Sequence, residues 1–280
     1  MCVSPLQFTL PPNAPAVCPH TGQSLCDPSP AATAMSKILA FIGAKGGTLK
    51  TASVAAVAHV LAKAGLRVVM VDLDPQGDLT TRSNFSRVAD PVTADPVLVR
   101  FDGEPELPLW LMRGGRAMEA ADAETVRRHL ARAEQIDPDL VVVDTPPALG
   151  PATRTAAAAA VFLIIPSGPG KESLMRAHDV VTIAHEGGRA PIIRILLTKA
   201  NPQTNLFRWM VENVDELYPN LRSPFVIPHE TAAAESAVFD RPVTVSAPRS
   251  KSAQAYCDVA ADVIGRLGIE RRPVPAGVVV

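Results

Sequence analysis

The chain has 280 residues, 47% of them hydrophobic, and a formal net charge of −1 from 27 basic and 28 acidic side chains. That content fills one α/β core. It excludes a protein that holds nucleic acid by bulk charge alone, so such contact needs a local basic patch or a partner. The longest apolar runs, such as residues 160–165, have strand length and predict no membrane span.

Residues 1–34 are rich in Pro, Ser, Thr and Ala and carry no hydrophobic period, which predicts a disordered tail or a start codon placed too early, with Met35 a natural beginning. Cys2, Cys18 and Cys26 fall there without the paired spacing of a zinc site, so no structural metal is expected. No lysine or arginine precedes Lys37, so a secretory leader is not expected and the location is read as cytoplasmic.

From Lys37 onward strand-like and helix-like segments alternate. Residues 38–42 are an apolar run, residues 43–51 read GAKGGTLKT, and Val54, Val57, Ala58 and Leu61 follow at helical spacing. Strand, glycine loop and helix in that order are the setting of a phosphate-binding loop: backbone N–H groups converge on anionic oxygens, Lys50 adds charge, and the Thr51 hydroxyl suits magnesium. The second lysine, Lys45, is unusual. Further buried-strand runs occupy residues 67–72, 140–144, 161–165 and 192–197. Residues 156–160 read as a small-residue helix packed close to the sheet. Leu206, Trp209, Met210, Val214 and Leu217 form one helical face, and Tyr256, Val259, Ala260, Val263, Ile264 and Leu267 another. The alternation predicts a doubly wound, mainly parallel sheet flanked by helices on both faces, with ligands at the carboxyl ends of the strands. Cys257 reads as core, and His178 and His185 as surface residues. After residue 268 a proline-broken tail is expected.

Three acidic residues fall at strand ends: Asp72 and Asp74 in DLDPQGD, and Asp144 in VVDTPP. Each alone fits a cap or turn aspartate. Beside the glycine loop they fit carboxylates that hold a magnesium shell or orient an attacking water.

These blocks resemble the ParA family of deviant Walker A ATPases. Residues 45–52 (KGGTLKTA), 72–77 (DLDPQG) and 143–147 (VDTPP) match that family's motifs. So do Ile164-Ile165-Pro166 with Ser173-Leu174, Leu196-Leu197-Thr198-Lys199, Val226-Ile227-Pro228, Arg241-Pro242-Val243 and the segment 248–256, covering roughly residues 37–268. The resemblance implies a P-loop NTPase of the SIMIBI type over residues 35–268, with ATP and Mg2+ as cofactors, that dimerises on ATP and dissociates on slow, partner-stimulated hydrolysis. Lys45, Lys50 and Asp74 would be catalytic: Lys45 reaches the partner subunit's phosphates, Lys50 holds the β- and γ-phosphates, and Asp74 positions the water. Gly46, Gly47, Thr48, Leu49, Thr51, Ala52 and Pro228 would complete the nucleotide site. Thr51, Asp72 and Asp144 would serve the metal. The implied partners are a second copy, a ParB-like centromere-binding or adaptor protein and non-specific DNA, the last placing the protein on the nucleoid in plasmid or chromosome partition.

Two departures qualify this. Leu49 stands where the family has glycine, and Ala52 where it has Thr or Ser. If the position needs positive φ, Leu49 slows catalysis; if φ is helical, it changes little. Gln203 and His229 replace arginines that chromosomal members carry for DNA. Arg176, Lys199, Arg208, Arg222, Arg249 and Lys251 are the substitute candidates, each alone also fitting ordinary surface charge. The competing class is a nucleotide-gated scaffold or regulator of a conjugative, mobile-element or other cargo-positioning system with little turnover. Leu49 and Ala52 support it, and the intact Asp74 and Asp144 oppose it.

Overall fold

A computed structural model describes residues 37–87, 94–101, 103–186, 191–238 and 240–269. The tail expected over residues 1–34, its three cysteines, and the C-terminal tail beyond Ile269 lie outside the described residues. The strands are β1 (Lys37–Phe41), β2 (Val68–Asp72), β3 (Val97–Leu98), β4 (Leu109–Met112), β5 (Leu140–Asp144), β6 (Phe162–Ser167), β7 (Ile192–Ala200) and β8 (Arg222–Pro228). They form one sheet in the order β3-β4-β2-β5-β1-β6-β7-β8. Every neighbouring pair is parallel except β3 with β4. The helices are α1 (Lys50–Lys63), α2 (Asp78–Arg82), α3 (Ala123–Glu134), α4 (Pro151–Ala159), α5 (Lys171–Glu186), α6 (Asn205–Leu217), α7 (Thr231–Val238), α8 (Val243–Ser246) and α9 (Lys251–Leu267).

The unbroken apolar strands follow from burial on both faces. Successive side chains alternate between two cores. In β1, Ile38 and Ala40 pack with Val126 and Leu130 of α3, Ala156 of α4 and Val180 of α5. Leu39 and Phe41 pack on the other face with Val57 and Leu61 of α1 and Tyr256 and Val263 of α9. Small residues let α4 approach the sheet as the sequence predicts, with Ala152, Ala156 and Ala157 buried. Side-chain caps fix where helices begin: Asp122 on α3, Thr204 on α6 and Ser250 on α9 each accept from a backbone N–H one turn in. Helix α9 stops at Gly268, whose φ of 54° closes the last turn, while Lys37 Nζ donates to Leu267 O at 2.7 Å. Among the described residues no helix is long and apolar enough to cross a membrane.

Three expectations change. Cys257 is exposed, because one step along α9 from the buried Tyr256 rotates it by about 100° into solvent. His178 is half-buried rather than a free surface residue: its Nδ1 pairs with Tyr218 Oη at 2.6 Å and joins α5 to the end of α6, whereas His185 is exposed. On α6, Met210 and Val214 are buried, but Leu206 stays 45% exposed at the mouth of a cavity beyond the strand ends.

The sheet order reverses at β1, whose neighbours are β5 and β6. Such a switch point is where open α/β sheets take ligands, and the glycine loop begins there, at the carboxyl end of β1.

Helix α1 also buries a titratable side chain. His59 Nδ1 pairs with Thr244 Oγ1 at 2.9 Å, and the ring meets Phe101 edge-on with centroids 5.8 Å apart. Glu104 lies 3.8 Å from Nε2 and is itself held by Lys63 at 3.0 Å. Burial outweighs Glu104 and lowers the His59 pKa from 6.5 to about 4. The folded state therefore favours the neutral ring. This contribution is complete above pH 6.5 and is lost as pH falls through the window toward 4. In urea titrations at pH 7.5 and pH 5, His59→Gln is expected to lose less stability on acidification than wild type; equal losses would contradict the buried neutral imidazole.

Candidate functional site

The glycine loop and the end of the strand that leads into it are each held by a threonine. Thr145, one residue past β5, donates to Phe41 O at 2.9 Å, and Thr198, near the end of β7, donates to Thr48 O at 3.0 Å. Thr48 Oγ1 lies 3.4 Å from Lys45 O within the turn. Gly46 and Gly47 are exposed, and Gly47 has φ of 75°. Leu49, immediately before α1, sits at φ 64° and ψ 22°. This settles the alternative left open above: the position needs the left-handed conformation, and a leucine supplies it at a cost of about 1–2 kcal/mol. Its side chain packs against the second core and offsets part of that strain.

Lys50 opens α1 and is buried. Its Nζ meets Asp144 Oδ1 at 2.6 Å. Asp144 ends β5, is fully buried, and its second oxygen, Oδ2, has no hydrogen-bond partner. An unpaired buried carboxylate oxygen beside a lysine is costly unless a ligand completes it. Thr51 is half-buried one residue further along the helix.

Asp72 pairs in register with Asp144 across β2 and β5. Its Oδ2 accepts from Thr80 N at 2.9 Å and Thr80 Oγ1 at 2.6 Å, and its Oδ1 accepts from Asp74 N at 3.1 Å. Both Asp72 oxygens are thus engaged within the chain, unlike those of Asp144. Burial, with Asp144 adding to it, pushes the Asp72 carboxyl well above the usual range. Asp74 is 7% exposed; its Oδ1 accepts from Gln76 N at 2.9 Å, and burial raises its pKa against the pull of Lys50.

Lys45 does not join this cluster. Its Nζ reaches Glu172 Oε2 on α5 at 2.8 Å, a pair open to solvent, and the contact holds the Glu172 carboxyl below its ordinary value. Pro228 ends β8, and the following His229 N bonds Ala200 O at 2.9 Å, joining the β7 and β8 ends. A cavity of about 210 Å3 adjoins the loop at the ends of β6 and β7, lined by Ser167, Pro169, Thr198, Lys199, Phe207 and His229 among others.

The basic residues raised for DNA contact lie on several elements. Arg176 pairs with Asp179 at 3.3 Å, and Arg222 grips Asp215 with two bonds of 2.7 and 3.0 Å at the amino end of β8, the sheet edge away from the loop. Arg208 bonds Asn205. Lys199 instead stands over the glycine loop, its Nζ 4.0 Å from where a Gly47 Cβ would be. Arg249 and Lys251 are exposed together at the start of α9. Sequence reasoning missed Thr80 and Glu172 and gave Thr145 and Thr198 no role beyond the blocks that contain them; Gly114, Lys45, Phe41 and Thr48, their respective partners, lie 34 or more residues away.

A divalent ion fits this donor set. Among the described residues no cluster of three or more His, Cys, Asp or Glu side chains could cage a metal. Magnesium characteristically uses one or two protein oxygens and completes its shell with phosphates and water, and the bare Asp144 Oδ2 suits that mode.

Residues 39–243 match the family described as the CobQ/CobB/MinD/ParA nucleotide binding domain, CbiA. The chain is 32% identical over 247 residues to the chromosome-partitioning ATPase Soj of Thermus thermophilus, covering 82% of this chain and 96% of that protein. It is 27% identical over 249 residues to the sporulation initiation inhibitor protein Soj of Bacillus subtilis, covering 82% and 98%. The septum site-determining protein MinD of Pyrococcus horikoshii, solved with Mg-ADP, shares the fold at a TM-score of 0.72 and 20% identity, covering 86% of this chain and all of that one.

The strain at residue 49 is testable by stability alone. Leu49→Val, with a β-branched side chain at positive φ, is expected to lose about 1 kcal/mol or more. Leu49→Gly should stay within about 1 kcal/mol of wild type, because relieved strain offsets lost packing and added unfolded-state freedom. Urea denaturation checks both, and a Leu49→Val protein as stable as wild type would contradict the left-handed conformation.

Proposed function

Since the chain belongs to the CobQ/CobB/MinD/ParA nucleotide-binding family and matches Soj-type partition ATPases over most of its length, we propose that it is an ATP-hydrolysing dimer switch serving DNA partition. The observation that carries this reading is the buried Lys50–Asp144 contact with Asp144 Oδ2 left bare, at the switch point of the sheet. With ATP in the loop, Lys50 exchanges the carboxylate for the β- and γ-phosphates, and the loop and helix-start N–H groups take the remaining oxygens. Thr51 and Asp144 would hold the magnesium ion, and Asp72 would support that side of the site. That ion, when bound, neutralises charge on the phosphates and in the transition state.

Asp74 takes the hydrolytic step in this reading. Its buried carboxylate orients a water toward the γ-phosphorus; the water oxygen bonds to phosphorus as the bond to the bridging oxygen breaks, giving ADP and phosphate. Burial keeps Asp74 more basic than an exposed aspartate, which suits a group drawing on the water's proton. Lys45 must leave Glu172 before it can reach a second copy's phosphates. An exposed ion pair is a weak hold, so the triphosphate of a facing subunit can win the lysine. Dimerisation is then conditional on ATP, and hydrolysis removes the charge that favours it.

The ATP dimer binds DNA without sequence preference in this reading, with Arg249 and Lys251 as the paired cations best placed among those considered, and a ParB-like adaptor stimulates turnover. The left-handed Leu49 is the arrangement on which catalysis slows, and the buried Asp74 and Asp144 are what favour the ATPase over the scaffold class. Lys50→Ala is expected to abolish ATP-induced dimerisation in light scattering; dimerisation at the wild-type level would overturn the site. A mobility shift with ATP and magnesium should give a salt-sensitive complex weakened in the Arg249→Ala, Lys251→Ala double variant. Tight ATP binding without any Asp74-dependent turnover, with or without DNA, would instead establish the scaffold.

A further inference from the structure

Thr80, in the short helix α2, is fully buried, and its hydroxyl sits at the centre of a three-way junction. Gly114 N, two residues past β4, donates to Thr80 Oγ1 at 2.8 Å. An amide N–H only donates, so the Thr80 hydroxyl must direct its own proton elsewhere. It donates to Asp72 Oδ2 at 2.6 Å, and Thr80 N donates to that same oxygen at 2.9 Å. The other Asp72 oxygen takes Asp74 N at 3.1 Å. A single buried carboxylate thereby fixes the start of α2, the end of β4 and the backbone of Asp74 relative to one another.

The approach of β4 is close. A Cβ on Gly114 would come within 2.6 Å of Asp72 Cγ and 2.9 Å of Asp72 O, so this strand end can reach Thr80 and Asp72 only as glycine. No residue of the glycine loop takes part, but Asp72 lies in register beside Asp144, so nucleotide binding and turnover are measured separately below. We propose that Thr80 is a positioning residue for hydrolysis: the chain Gly114 N–H to Thr80 hydroxyl to Asp72 carboxylate holds Asp74 at the angle its water requires. This rests on the ATPase reading above. Catalytic geometry is sensitive to displacements of about 1 Å; Gln76 N holds the Asp74 carboxylate at 2.9 Å, and Asp72 holds the backbone from which that carboxylate projects.

Two substitutions separate the hydroxyl from the packing. Thr80→Val keeps the shape and removes the hydroxyl; Thr80→Ser keeps the hydroxyl and removes a methyl. In the full chain with magnesium and ATP, Thr80→Val is expected to lower kcat by about tenfold or more while KM, fluorescent-ATP affinity and ATP-induced dimerisation stay within about threefold, and Thr80→Ser is expected to restore kcat to within about twofold of wild type. A Thr80→Val protein with wild-type kcat would overturn the proposal, and so would a Thr80→Ser protein as slow as Thr80→Val, since the methyl would then be what matters. Should Thr80→Val not fold, Thr80→Ala is compared with Thr80→Ser by the same criteria. Wild-type protein that binds ATP without hydrolysing it would overturn the ATPase reading and this role together; wild-type turnover with an unaffected Thr80→Val would overturn this role alone.

Discussion

Lys50 and Asp144 meet at 2.6 Å in the interior, and the two must be considered as a unit. Neither charge would be tolerated there alone: removing one partner of a buried pair leaves the other desolvated, at a cost of about 3–5 kcal/mol. The pairing is still incomplete, because Asp144 Oδ2 has no partner. A site whose charges balance but whose carboxylate is only half satisfied is receptive to a ligand that brings both anionic oxygens for the lysine and a cation for the aspartate. A magnesium-bound triphosphate is such a ligand.

The sheet creates this arrangement. Parallel strands bring their carboxyl ends to one edge, and the order β2-β5-β1-β6 sets Asp72, Asp144 and the glycine loop side by side. Thr198 of β7 ties the loop down and Thr145 holds the end of β1 that leads into it, so the cradle is formed before any nucleotide arrives. Preorganisation of this kind lowers the ordering cost of binding. The strained Leu49 is part of that frame, kept in a glycine conformation by its packing on the second core.

Much of this could be read from the residue order. Apolar runs at residues 67–72 and 140–144 fix strands because covered parallel strands need no polar alternation, and an aspartate closing each run places it at the ligand edge. The pairing of Lys45 with Glu172 was not legible, since it joins residues far apart through the packing of α5. Nor was the Thr80 junction: a threonine beside an apolar residue in a short helix carries no signal until β4 is known to end against it. The conformation of Leu49 was open for a related reason, because only the loop's anchors decide between a helical and a left-handed φ. Cys257 was misplaced because its helix has one buried stripe and the residue lies just off it.

The account stands or falls on what Lys50 does when nucleotide binds. A crystal structure with magnesium and a non-hydrolysable ATP analogue measures it directly. The expected result is Lys50 Nζ on the β- and γ-phosphates, away from Asp144, with Lys45 released from Glu172 and set against the phosphates of a second copy. A nucleotide bound elsewhere, with the Lys50–Asp144 contact intact, would contradict it.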